Sequence, residues 1–170
     1  MSWLRRALDG LYLAGAMLAA SFTVVMLAVI LAQILARWIG FGFPGATEYA
    51  GYCMAASFFF ALAYAFDRGA HIRVHLLLSR LAGRARRIAE LWCLLVAGGL
   101  AWYFAFYAIR AVRVSRLIGD VSQGQDATPL WIPQLSMAIG AVLFAVALTD
   151  HALRLLVGGE ARLGDGKPAD

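Results

Sequence analysis

Residues 67–87, DRGAHIRVHLLLSRLAGRARR, form the only long interruption in an otherwise apolar chain, and they hold six of its fifteen Lys and Arg residues. Two uncharged hydrophobic runs lie on each side of them. Counted between charged side chains, and leaving out Gly10, the runs comprise 26 residues (11–36), 18 (49–66), 19 (91–109) and 23 (127–149). A helix needs roughly 20 residues to cross a hydrocarbon core about 30 Å thick. The sequence therefore predicts an all-α integral membrane protein with four transmembrane helices, spanning about 11–37, 47–66, 88–110 and 129–149. They form one membrane domain over 1–157, followed by a flexible tail over 158–170.

Composition agrees with that reading. Only 15 % of the residues are charged, against about 25 % in soluble domains. The net charge of +5 is no nucleic-acid signature, because fourteen of the fifteen basic residues are Arg and they cluster beside the hydrophobic runs. Lipid phosphates meet them there, so the expected partners include membrane lipid and no nucleic acid. Cys53 and Cys93 fall inside spans, where they read as small packing residues rather than a disulfide framework. Arg5 and Arg6 precede the first run as in a secretory signal, but that run far exceeds the usual ~7–15 apolar residues. It is read as a retained span, about 39 Å long if straight, so it must tilt or emerge.

Within the central stretch, Val74, Leu77, Leu78 and Leu81 fall at i, i+3, i+4 and i+7, while Arg73, Arg80, Arg84 and Arg87 line an adjoining face. That pattern predicts an interfacial amphipathic helix over about 71–82, between the second and third spans. Ile72 and Leu76 fall outside its apolar face. In the first span, Ala28, Ala32 and Ala36 stand four residues apart, a spacing that lets helices approach closely in lipid. Thr47 is placed to cap the second span, and Glu48 to complement the positive end of its dipole or to pair with Arg110, Arg113 and Arg116. Glu90 is placed in the opening turn of the third span. Pro129 and Pro133 flank Trp131 at the start of the fourth, where a missing N–H costs nothing.

Alternate loops divide the Lys and Arg residues unequally. The two termini and residues 67–90 hold eleven, and the opposite side holds Arg37, Arg110, Arg113 and Arg116. The positive-inside rule then places both termini and residues 67–90 in the cytoplasm and turns the 118–128 loop outward.

No ionisable residue stands in the middle of an uncharged run, and no span is broken by Gly or Pro to build a midplane site. The strongest mid-span polar group is Gln33, supported by Ser21, Thr23, Ser57 and Ser136. Nucleophile–base sets, phosphate-cradling loops and Cys-pair zinc spacings are also missing, which argues against an enzyme, a resident metal or a cofactor. His71 and His75 stand one helical turn apart and His151 closes the fourth span, so a haem-holding subunit of a redox complex is one alternative. A self-sufficient small exporter with Glu48 as its coupling carboxylate is another.

These residues together resemble the small membrane (Q-type) subunit of tripartite ATP-independent periplasmic (TRAP) transporters. The resemblance covers nearly the whole chain. It is concentrated in Glu48-Tyr-Ala-Gly-Tyr52 running to Arg68-Gly-Ala-His71-Ile72-Arg73-Val74, and in Thr128-Pro129-Leu-Trp131-Ile-Pro133 followed by a small-residue helix with Gly140. The chain departs from the family at His75, where an Asp commonly follows Arg-Val. The resemblance implies a large permease subunit that carries the sodium and substrate sites, and a periplasmic binding protein that delivers an organic acid anion. The small subunit would scaffold the first and help dock the second. On that reading Asp67, Arg68, His71, Arg73, Arg80, Arg84 and Arg87 contact partner or lipid on the cytoplasmic side. Arg37, Glu48, Arg110, Arg113, Arg116, Asp120 and Asp126 form the periplasmic docking face, and Pro129, Trp131 and Pro133 are structural.

Overall fold

The computed structural model describes residues 2–68 and 83–156, and these form four α-helices. They are α1 (Ser2–Trp38), α2 (Ala46–Asp67), α3 (Gly83–Ile118) and α4 (Trp131–Leu156). All four are long and apolar enough to cross a membrane, so the chain is an all-helical, multi-pass membrane protein. The interfacial helix expected over 71–82 lies outside the described residues, as do His71, Arg73, Arg80 and the tail.

The helices run past the apolar runs that announce them. α1 is already helical at Ser2, and its 37 residues would extend about 55 Å if straight, more than a bilayer core. α3 carries Arg110, Arg113 and Arg116 within its helix before stopping at Ile118. Gly119 ends it in a left-handed conformation (φ 66°), and the Asp120 N–H donates back to the Ser115 carbonyl at 3.0 Å, a Schellman closure.

Two expected helix starts are corrected. The residue that caps α2 is Gly45, at φ 79° and with no side-chain cap bond, rather than Thr47. The Thr47 hydroxyl instead accepts from Gln33 Nε2 at 3.3 Å, joining α1 to α2. Gly45 is required twice over: its φ suits glycine, and a Cβ there would lie 2.8 Å from Asp126 Cβ. Glu90 is not in an opening turn, because α3 starts at Gly83; it is buried and accepts from Arg86 Nε at 2.8 Å.

α1 packs on α2, α2 on α4, and α4 on α3, so the spatial order is α1-α2-α4-α3. α2 and α4 both run from the 119–130 loop toward the end that holds Asp67 and Leu156, and are therefore parallel. The interior is built from small residues: Ala56 and Ala63 in α2, Ala105 and Ala108 in α3, and Ala138, Ala141, Ala145, Ala147 and Ala152 in α4 are all buried. Large side chains such as Leu27, Leu31, Trp92, Leu100 and Phe106 face outward. This inverts the pattern of a soluble core. Lipid tails solvate Leu as well as a core does, and association rests on close packing.

Close approach is sharpest at Gly140. A Cβ there would fall 2.6 Å from the Phe59 carbonyl oxygen, so the α2 backbone lies directly on α4. Gly15 of α1 faces the next carbonyl, that of Phe60, with 3.1 Å for the same imagined atom. α1 meets its neighbours through Tyr12, Gly15, Ala19, Phe22, Met26, Val29, Gln33 and Ala36, spaced alternately three and four residues apart and each at least half-hidden. Ala28 and Ala32 lie off that stripe and are exposed, so the four-residue alanine spacing is not the contact within this chain. A Thr23–Ser57 hydroxyl bond (2.7 Å) ties α1 to α2, and Trp102 Nε1 donates to Thr149 Oγ1 (3.0 Å) between α3 and α4. Such bonds contribute about 0.6 kcal/mol each in a membrane.

Gly140→Ala should lower stability by about 1–3 kcal/mol, the usual cost of overpacking, while Gly99→Ala, which meets nothing within 4 Å, should be neutral or slightly stabilising. Thermal unfolding in detergent, followed by circular dichroism, compares them. Equal melting temperatures would show that the α2–α4 approach does not limit stability.

Candidate functional site

Polar side chains gather at the two ends of the helix array. At the first end, where α1 and α3 begin and α2 and α4 finish, Asp67 is the last residue of α2 and His151 sits in the final turns of α4. Because the two helices are parallel, these residues meet. His151 Nε2 stands 3.1 Å from Asp67 Oδ1, and the imidazole is 0 % exposed. The Phe66 ring packs edge-on against it at 5.0 Å. Tyr12 of α1, also buried, joins the same cluster beside Ala63, Leu148 and Leu155. Its hydroxyl and His151 Nδ1 have no partner among the described residues.

Cations close this end from several sides. Arg87 donates to the Leu155 carbonyl at 2.7 Å, satisfying one of the acceptors that α4 leaves open at its C-terminus. Arg154 pairs with Asp150 one turn before it, as Arg86 does with Glu90 one turn after it. The Arg68 guanidinium lies over the Tyr64 ring at 5.1 Å. Arg84 belongs to the first turn of α3. Asp67 and Arg87 are thus engaged inside the chain, and Arg68 is exposed beside them.

The opposite end is organised by the 119–130 loop. Ser122 N–H donates to the Thr128 carbonyl (2.8 Å) and Leu130 N–H to the Asp120 carbonyl (3.0 Å), with an antiparallel bridge between Val121 and Pro129. Trp131 then opens α4, Pro133 stands in its first turn, and the Arg116 guanidinium lies 5.6 Å from the Trp131 ring centre. The loop is fastened to α2. Tyr52 Oη donates to Asp126 Oδ2 at 3.0 Å, and Gln125 N–H reaches Glu48 Oε1 at 3.4 Å. Withdrawal from water alone would raise the Asp126 carboxyl, but bonding to the Thr128, Ser122 and Tyr52 hydroxyls and to its own backbone holds it at about 2. It is therefore ionised at any physiological pH.

Glu48 does lie in the first turn of α2, but the expected ion pair with the α3 arginines is not formed. Arg110, Arg113 and Arg116 are exposed and make no ion pair among the described residues. Arg37 and Asp120 are exposed at the same end. Beside the loop, Gln33, Phe43, Thr47, Glu48, Gln123 and Gln125 line a mostly polar recess of about 460 Å³.

The Asp67–His151 pair was not legible in the sequence. Both residues sit at span ends 84 positions apart, and nothing local distinguishes a buried terminal histidine from one meeting headgroups. Only the parallel course of α2 and α4 brings them together. The family model described as "Tripartite ATP-independent periplasmic transporters, DctQ component" matches residues 26–158. Neither the curated proteins nor the solved structures gave a match.

Replacing either partner of the buried pair leaves the other unsatisfied. Asp67→Ala and His151→Ala should each lower stability by about 1–3 kcal/mol, and the double variant should lose much less than their sum. Strict additivity in thermal unfolding would show that the two side chains do not support one another.

Proposed function

The chain belongs to the DctQ family, the small membrane component of tripartite ATP-independent periplasmic transporters, and on that premise we propose that it scaffolds the large permease subunit of a sodium-driven carrier for organic acid anions. In this reading the 119–130 end faces the periplasm and helps dock the soluble binding protein. Both termini are cytoplasmic, and the segment over 71–82 lies along the membrane interface as an amphipathic helix.

The observation that carries the scaffold role is where the fold uses its polarity. The four helices are continuous. The hydroxyls of Thr23 and Ser57, away from the helix ends, bond to each other across α1 and α2 rather than facing a cavity. Carboxylates and the buried histidine stand at the ends, where they tie helices or loops together. A solute-conducting path needs polar groups facing a cavity at the midplane; the closest approach of helices here, at Gly140 and Phe59, is packed backbone on backbone. The haem-holding alternative is left with His151 among the described histidines, and its ring is bonded to Asp67 and packed on Phe66. As for an exporter, Glu48 is bonded to the loop rather than set free in a pore.

The eleven-to-four division of basic residues supports this orientation. The docking role is supported by the shape of the loop end. Beside its polar recess, Glu48 and Asp126 are held in place by the Glu48–Gln125 and Tyr52–Asp126 bonds, with the charges of Arg37 and Asp120 exposed at the same end. A preorganised rim of that kind meets a soluble partner without first having to be ordered.

A Gln123→Cys variant, in a Cys53→Ser, Cys93→Ser background, should react with a membrane-impermeant maleimide added to intact spheroplasts. The same variant should co-purify with the large permease subunit. Labelling only after permeabilisation would reverse the orientation and remove the docking role from this end.

A further inference from the structure

Between α3 and α4, near the 119–130 end, lies a groove of about 380 Å³ lined by Ile109, Val112, Leu135, Ile139 and Val142, with Arg113 the one polar residue among the described residues of its wall. The volume falls within the usual range of small-molecule sites, ~300–1,000 Å³. Its position along the membrane normal is marked by Trp131. That ring opens α4, touches Arg116, and is of the type that favours the headgroup level. Arg113 lies one turn deeper than Arg116 on the same helix, and Arg110 one turn deeper again. The groove continues below them toward Leu143.

Three arginines at this depth are costly unless an anion meets them. Among the described residues, no acid pairs with them. The ion pairs among the described residues are Arg86–Glu90, Arg154–Asp150 and His151–Asp67, all at the other end. Of the acids at the loop end, Glu48 and Asp126 are bonded to Gln125 and Tyr52, and the exposed Asp120 forms no ion pair with the arginines. What the site lacks is thus an anion at the level of Arg113, joined to an apolar chain that fills the slot below it. A phospholipid with an acidic headgroup has both parts in that order. A protein helix laid in the groove would fill the slot but would need an acid placed at Arg113.

We propose that this groove is a binding site for one anionic phospholipid, with an acyl chain against Ile109, Val112, Ile139 and Val142 and its phosphate on the Arg113 guanidinium. Arg110 and Arg116 flank the phosphate from the turns on either side. Arg113 then belongs to the lipid rather than to the docking face, and α3 and α4 are held together by a ligand where their own side chains leave a gap.

Native mass spectrometry of the full chain in mild detergent, titrated with phosphatidylglycerol or with phosphatidylcholine of the same acyl chains, tests this. The wild-type chain should retain phosphatidylglycerol about fivefold better, as one arginine at the headgroup level contributes. Arg113→Gln should reduce phosphatidylglycerol to the phosphatidylcholine level, and Ile139→Trp, which fills the groove from an exposed position, should reduce both. Arg37→Gln, at the same end but away from the groove, should change neither. The proposal is overturned if the wild-type chain shows no preference, or if Arg37→Gln acts as strongly as Arg113→Gln. It is equally overturned if Ile139→Trp leaves retention intact, which would assign the groove to a protein partner.

Discussion

The α2 backbone lies against α4 at one point with no side chain between them, where Gly140 faces the Phe59 carbonyl, and the rest of the array is arranged around that contact. In a bilayer, helices gain little by hiding Leu or Ile from lipid, so they associate where small residues let many atoms touch. α4 meets this need with Ala138, Ala141, Ala145 and Ala152 on its buried faces. α2 is then held from two sides, by Gly140 of α4 and by Gly15 of α1, at consecutive carbonyls. The Asp67–His151 pair fixes the same two helices at their C-terminal ends. Parallel helices clasped at mid-length and pinned at one end have little freedom to slide.

That rigidity supports the proposed scaffold role, in which the large subunit does the moving. This chain's Tyr52–Asp126, Glu48–Gln125 and Asp67–His151 contacts hold a loop to a helix or one helix to another. The two flanking helices, α1 and α3, turn large apolar side chains outward along most of their lengths, where lipid or another membrane subunit covers them. The loop end is stiffened by Tyr52–Asp126 and Glu48–Gln125, so the face it offers is set before any partner arrives. Membership of the DctQ family, read over residues 26–158, makes the chain one component of a larger transporter.

Much of this was legible in the sequence because a membrane imposes simple rules. Uncharged runs near 20 residues must span, and every backbone polar group must be satisfied within a helix; the four runs became the four helices. The central stretch and the Thr128–Pro133 segment carried the family resemblance that length alone lacks. Helix ends were less legible. α1 begins at Ser2 because nothing in Trp3–Gly10 breaks a helix, and hydropathy registers only where the apolar part starts. Thr47 read as a cap, yet Gly45 took that position because only glycine fits both the left-handed backbone and the space beside Asp126. The Ala28–Ala32 spacing was real but faces outward, since Tyr12, Gly15 and Ala19 fixed the packed stripe of α1. Pairings such as Asp67–His151 and Arg87–Leu155 depend on which helices are neighbours, and no local pattern encodes that.

The central claim is that this chain supports transport without conducting the solute. Proteoliposomes with an inward sodium gradient, carrying this chain, the large permease subunit and the binding protein loaded with a labelled organic acid anion, test it directly. The account predicts uptake when all three are present and none when this chain is the only membrane component. Accumulation of solute by this chain alone would contradict it.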